Sequence, residues 1–233
     1  MAISNDRRSQ IKKIGEPIAL FFGRLGLSPD GLTLVGFGIT AAGAVLLAGQ
    51  LWLIGGLVVF GGAVFDMFDG TLARATGRVS KLGAFMDSVF DRWGEALVYV
   101  GLVWGTLDMG LWRPVLLAAA AMAAAFMVSY ARAKSEGLGF SSGTGMAAIG
   151  FAPREVRVVI LTLGLVAAGL LPGFPEDMDT PGATAYPLSA LALEAALALI
   201  AILGTITVIQ RVLHTRAQAR AAATTTEVGE QAS

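Results

Sequence analysis

Six stretches of mostly apolar residues run along this chain, near 32–49, 51–74, 82–107, 112–133, 154–172 and 186–210. Each is long enough to cross a bilayer, since the hydrocarbon core is roughly 30 Å thick and an α-helix rises about 1.5 Å per residue, so about 20 residues suffice. The expected fold class is therefore an all-α integral membrane protein with six transmembrane helices. Composition agrees: 55% of the 233 residues are hydrophobic, 15% are charged and the mean hydropathy is +0.69, values that a soluble domain of this size rarely reaches.

Seventeen basic and 17 acidic residues give a formal net charge of zero, so no global field recruits nucleic acid and only local charge carries information. The lack of cysteine excludes disulfides, thiolate nucleophiles and zinc–thiolate sites. Ahead of the apolar stretches, residues 9–26 set Ile11, Ile14, Ile18 and Phe22 at helical spacing, which predicts an amphipathic helix on the membrane surface. No apolar core precedes a small-residue cleavage site there, so a cleaved signal peptide is not expected. Ser28-Pro29-Asp30 turns the chain inward, and a tight hairpin around Gln50 joins the first two spans. The organisation expected is an amphipathic juxtamembrane segment over 1–28, a six-helix domain over 29–213 and a polar, aperiodic, disordered tail over 214–233.

Placed on this map, sixteen of the 17 basic residues fall on one side of the membrane and only Arg113 on the other. Lys and Arg concentrate in cytoplasmic loops, so both termini are expected in the cytoplasm of a multi-pass cell-membrane protein. Asp108, Glu176, Asp177 and Asp179 occupy the opposite face, and Trp52, Trp104 and Trp112 stand where an interfacial aromatic belt belongs.

Residues 66–91 read DMFDGTLARATGRVSKLGAFMDSVFD. Asp66 and Asp69 end the second span, Asp87 and Asp91 begin the third, and spacings of three and four put each pair on one helical face. A short basic connection makes the two helices antiparallel neighbours, so the acidic faces can converge. One ionised side chain in a span costs on the order of 2.5–3.5 kcal/mol on insertion scales, and four anions also repel one another. Such a cluster demands cations. Hard oxygen ligands favour Mg²⁺ or Mn²⁺, and two such ions suit a reaction at a pyrophosphate. Gly62, Ala73 and Gly83 share the acidic faces, Gly70 and Ala73 leave room for a nucleotide, and Arg74 sets a fixed cation at the rim.

The pattern Asp66-x2-Asp69-Gly70-x2-Ala73-Arg74-x8-Gly83-x3-Asp87-x3-Asp91 resembles the signature of the CDP-alcohol phosphatidyltransferases at every fixed position. The six-span plan, with the motif bridging spans two and three, is similar as well. The resemblance implies that Asp66, Asp69 and Asp87 ligate the metal ions. Asp91 would complete the site and act as general base, while Asp69, Gly70, Ala73, Arg74 and Gly83 line the pocket for CDP-diacylglycerol. It also implies a homodimer. Transfer of the phosphatidyl group to an alcohol would release CMP without a covalent enzyme intermediate. His214, the only histidine, lies beyond the last span and is expected to be a solvated tail residue.

Three further segments bring cations to the level of the aspartates: Ser129-Tyr130-Ala131-Arg132-Ala133-Lys134-Ser135-Glu136, Pro153-Arg154-Glu155-Val156-Arg157 and Gln210-Arg211. Each alone is explained by anchoring to anionic headgroups; together they suggest a pocket for a phosphorylated polyol. They resemble the bacterial phosphatidylinositol-phosphate synthase branch, with Lys and Arg exchanged at 132 and 134 and Pro153 in place of a glutamate. That likeness implies inositol 1-phosphate contacts from Ser129, Arg132, Lys134, Arg154, Arg157 and Arg211, although glycerol 3-phosphate or another inositol-phosphate transfer satisfies the same cations. Residues 138–151, rich in Gly and Ser, read as an ordinary flexible connector, the alternative being a mobile flap over the acceptor pocket. Glu194 is expected to be protonated or buried at a helix interface.

Two other functions use membrane carboxylates. A prenyltransferase would carry acidic motifs on two helix pairs, whereas here all four acids lie on one hairpin. A divalent-cation transporter would continue its acidic path across the membrane through broken helices, and Glu194 is the only acid deeper in.

Overall fold

Local chemistry sets where the helices start. Ser28 is extended at φ −80° and ψ 160°, its Oγ accepts from Gly31 N at 3.1 Å, and Pro29 follows at the first helical position, where no N–H is needed. Ser80 caps the acidic hairpin's second helix in the same way, its Oγ accepting from Gly83 N at 2.9 Å. The computed structural model describes residues 17–140, 146, 149–171 and 187–231, with side chains as far as 221. In chain order the helices are α1 (17–24), α2 (Pro29–Ala48), α3 (Trp52–Ala75), α4 (Lys81–Asp108), α5 (Trp112–Gly137), α6 (Arg154–Leu170) and α7 (Leu188–Gln231). No strand occurs among the described residues.

Among the described residues, each expected apolar stretch thus holds one of the helices α2 to α7. By length and composition α2, α3, α5 and α7 can cross a membrane, the last over Leu188–Ala221. The protein is a multi-pass membrane protein. The other two helices depart for visible reasons: α4 carries Asp87, Asp91, Arg92 and Glu95 between its second turn and its middle, and α6 has 17 residues.

The helices fall into two compact units. In the first, α2 packs against both α3 and α4. Gln50, at φ +64°, makes the tight α2–α3 turn, and its Nε2 donates to Asp108 Oδ2 at 2.8 Å at the far end of α4. A Cβ at Gly101 would overlap the Ala44 carbonyl, and one at Gly105 the Leu47 carbonyl, so these glycines let α4 lie against the α2 backbone. Close approach of this kind replaces the hydrophobic driving force that helices lack in lipid. Residues Leu165–Leu171 also belong to this unit, with Leu165 Cβ against Gly56. The second unit is built on α5 packed against α7.

Several expectations change. Trp52 is buried, its ring beside Gly105, so only Trp104 and Trp112 of the three tryptophans are exposed at the surface. Within α1, Ala19 is buried against Leu32 and Leu72, while Phe22 packs on Phe65 and Phe68 and Ile18 faces outward. Ile11 and Ile14 lie outside the described residues, as do Glu176, Asp177, Asp179 and residues 141–145, 147 and 148 of the 138–151 connector. The tail expected to be disordered from 214 instead continues α7 to Gln231. No Gly or Pro interrupts 205–228, and Ala217, Ala219 and Ala221 are strong helix formers, so nothing stops the helix. His214 consequently sits on α7, half-buried.

Glu194, 5% exposed on α7, meets Arg113 from the start of α5 at 3.0 Å. The carboxylate is thus buried at a helix interface, one of the two arrangements expected for it, and its ion-pair partner is the one arginine that stands apart on the charge map.

Candidate active site on the acidic hairpin

Asp66 and Asp69 leave the last turns of α3 one helical turn apart, and Asp87 leaves the second turn of α4. Each offers a carboxylate oxygen within 4.8 Å of the others. Asp69 is the buried member, 7% exposed, and the other two are half-buried. Thr33 fixes Asp69 from α2: its Oγ1 donates to Asp69 Oδ2 at 2.5 Å, and the amide of Gly70 donates to the other oxygen. Gly36, one turn further along α2, brings that helix to the Asp66 backbone, 3.6 Å from where a Cβ would stand. Three hard oxygen donors at this spacing fit a divalent cation of the Mg²⁺ or Mn²⁺ type.

A cavity of about 270 Å³ opens beside these carboxylates. The residues expected around the donor, Asp69, Gly70, Ala73, Arg74 and Gly83, all line it, together with the metal-ligand candidate Asp87. The glycines have specific reasons. A Cβ at Gly70 would stand 3.3 Å from Arg74 Nη1, so the bare α-carbon lets the guanidinium fold back across the helix. One at Gly83 would stand 3.0 Å from the capping Ser80 Oγ and 3.3 Å from Asp30 Oδ1.

Asp91 lies a turn beyond Asp87 and outside the 4.8 Å group; its Oδ2 pairs with Arg92 at 3.0 Å. Pro29, Asp30, Thr33 and Arg78 also line the cavity and were not anticipated. Their signal was present in Ser28-Pro29-Asp30 and in Thr33 one turn later, but it reads only as a helix start until α2 is known to flank α3.

The six cation-segment residues all lie in the second unit. Arg211, 3% exposed, donates from Nη1 to Val128 O at 2.5 Å, next to Ser129, and from Nε to Ile149 O at 3.1 Å. Arg157, 2% exposed, donates to Ala152 O at 2.9 Å. Thr207 Oγ1 accepts from Phe151 N and Ala152 N at 3.1 and 3.0 Å. The backbone over 149–152 thus ties Arg157, Arg211 and the Val128–Ser129 turn together. Ser129 itself donates to Ala125 O within α5, Arg154 is half-buried, and Arg132 and Lys134 are exposed, with Arg132 held by Glu136 at 3.0 Å.

An all-helical membrane fold whose acidic hairpin opens on a cavity with a cationic rim defines a class that handles phosphorylated substrates with a divalent metal. The chain belongs to the CDP-alcohol phosphatidyltransferase family, whose model matches residues 27–206, and it is an enzyme of the transferase class. Archaetidylinositol phosphate synthase of Pyrococcus horikoshii is 36% identical over 154 residues, covering 66% of this chain and 77% of that protein. Phosphatidylinositol phosphate synthase of Mycolicibacterium smegmatis is 37% identical over 174 residues, covering 72% and 74%. Among solved structures, the phosphatidylinositol phosphate synthase of Mycobacterium tuberculosis with CDP-DAG bound matches with a TM-score of 0.71 and 29% identity, covering 87% of this chain and 94% of that one. The same enzyme in complex with manganese and citrate matches with a TM-score of 0.69 and 29% identity, over 86% and 88%.

Proposed function

We propose that this enzyme transfers a phosphatidyl group from CDP-diacylglycerol to inositol 1-phosphate, giving phosphatidylinositol phosphate and CMP. The observation that carries the reading is the convergence of Asp66, Asp69 and Asp87 within 4.8 Å beside a cavity rimmed by Arg74. Both named relatives share the inositol phosphate product headgroup and differ in the lipid that bears it, which supports the acceptor.

Asp66, Asp69 and Asp87 would hold two Mg²⁺ or Mn²⁺ ions, which supply charge neutralisation at the donor pyrophosphate and at the leaving CMP. Thr33 orients Asp69. Gly70, Ala73 and Gly83 give the nucleotide access to backbone, and Arg74 pairs with phosphate oxygens. Asp91 takes the proton of the acceptor hydroxyl as its oxygen bonds to the lipid-linked phosphorus and the bond to CMP breaks. Ser129, Arg132, Lys134, Arg154, Arg157 and Arg211 bind the acceptor phosphate, with Arg157 and Arg211 pre-set by their carbonyl partners.

The six-span arrangement, with both termini and the site on the cytoplasmic face, is part of the same proposal. Its supports are the one-sided distribution of Lys and Arg and the reach of α6, roughly 26 Å at 1.5 Å per residue. A homodimer is expected from the family, and the mass of the detergent-solubilised particle tests it.

Turnover of purified protein with CDP-diacylglycerol tests the acceptor. The proposal expects CMP release with inositol 1-phosphate well above that with glycerol 3-phosphate or free inositol. Preference for glycerol 3-phosphate would overturn the acceptor while leaving the reaction class intact.

A further inference from the structure

The first unit holds a second cavity, of about 230 Å³, bounded by α1, the α1–α2 turn and the last turns of α3. Leu20, Leu27 and Leu72 give it apolar walls, and Gly23 keeps it open, since a Cβ there would stand 2.9 Å from Leu72 Cδ1. Its charged lining is Arg24 and Arg78; no carboxylate is among the described residues around it. Both arginines are exposed, and neither has an ion pair among the described residues. Thr76 already gives its hydroxyl proton to Leu72 O at 2.8 Å, so the guanidinium groups are the side-chain donors at this site. Two like charges beside one apolar hollow repel each other until an anion joins them, and guanidinium forks match phosphate oxygens.

We propose that this cavity binds a phosphate-bearing anion of the phospholipid-headgroup kind, the phosphate on Arg24 and Arg78 and the apolar part against Leu20, Leu27 and Leu72. Arg78 and Pro29 line both this cavity and the acidic one. A phosphate held here draws Arg78 away from the donor, so occupancy and donor binding oppose each other, reciprocally.

Native mass spectrometry of the full chain in detergent, which reads lipid retention without turnover, tests the site with phosphatidylglycerol against phosphatidylcholine. Wild type should retain phosphatidylglycerol preferentially. Arg24→Gln should weaken retention roughly fivefold, as loss of one cation at an anionic surface does, and Arg24→Lys less. Arg216→Gln, an equal charge change on exposed α7, should leave retention unchanged. Equal losses in Arg24→Gln and Arg216→Gln would mean diffuse surface attraction and overturn the proposal. Inorganic phosphate at constant ionic strength separates the sources: displacement of the lipid assigns the site to free phosphate and overturns the lipid form, and no displacement supports it. In vesicles, rising phosphatidylglycerol should raise the donor KM of wild type more than that of Arg24→Gln, and an equal response would overturn the coupling.

Discussion

Thr33 Oγ1 lies 2.5 Å from Asp69 Oδ2, so a hydroxyl on α2 holds the buried carboxylate of the acidic hairpin. Thr33→Val removes that donor and keeps the shape. Partners of metal-binding carboxylates typically contribute 10- to 100-fold in metal affinity. Mn²⁺ titration followed by electron paramagnetic resonance should show a Kd raised at least about tenfold in Thr33→Val and near-normal in Thr33→Ser.

Gly70→Ala sets a methyl 3.3 Å from Arg74 Nη1, so the guanidinium must shift by a few tenths of an ångström, and the methyl narrows the cavity that Gly70 lines. The donor KM should rise about tenfold, on the order of one charge-assisted hydrogen bond, with little change in thermal stability. Arg74→Ala should do the same, and the double variant should be no worse than either alone.

The acidic hairpin with Asp66, Asp69 and Asp87 and the helical character of the six apolar stretches were legible in the sequence, because run length in lipid and clustered charge are both local signals. Which face each helix turns inward was not. Arg157 and Arg211 count toward a one-sided basic surface just as Arg24 does, yet they are buried on the carbonyls of Ala152, Ile149 and Val128. Thr33 and Asp30 read as a helix start until α2 is placed beside α3. Trp52 looked interfacial because only its partner Gly105, 53 positions away, reveals the slot it fills. The α7 extension was missed because polar, small residues suggest disorder, whereas an uninterrupted alanine-rich run carries a helix onward.

Arg113→Ala leaves Glu194 buried at 5% exposure without its 3.0 Å partner. Because Arg113 is itself about half exposed, the loss should be about 2 kcal/mol, below that of a fully buried pair. Glu194→Leu should restore the thermal midpoint in the Arg113→Ala background, since no buried carboxylate is then left without its cation.

Thr207→Val removes the acceptor for the Phe151 and Ala152 amides and should cost about 1–3 kcal/mol in thermal unfolding. Through the 149–152 backbone it should also raise the acceptor KM several-fold while the donor KM stays constant. Thr207→Ser should restore both, as the oxygen is retained.

In the proposed reaction Asp66, Asp69 and Asp87 form one divalent-metal site that drives transfer from a CDP-linked lipid. Its most direct test is CMP release from CDP-diacylglycerol and inositol 1-phosphate by purified protein stripped with chelator, with Mg²⁺ or Mn²⁺ restored. No release is expected without metal, with recovery on addition and a loss of about a thousandfold in Asp87→Asn, which corresponds to about 4 kcal/mol of transition-state stabilisation. Release that persists in chelator, or an Asp87→Asn variant with near-normal turnover, would contradict it.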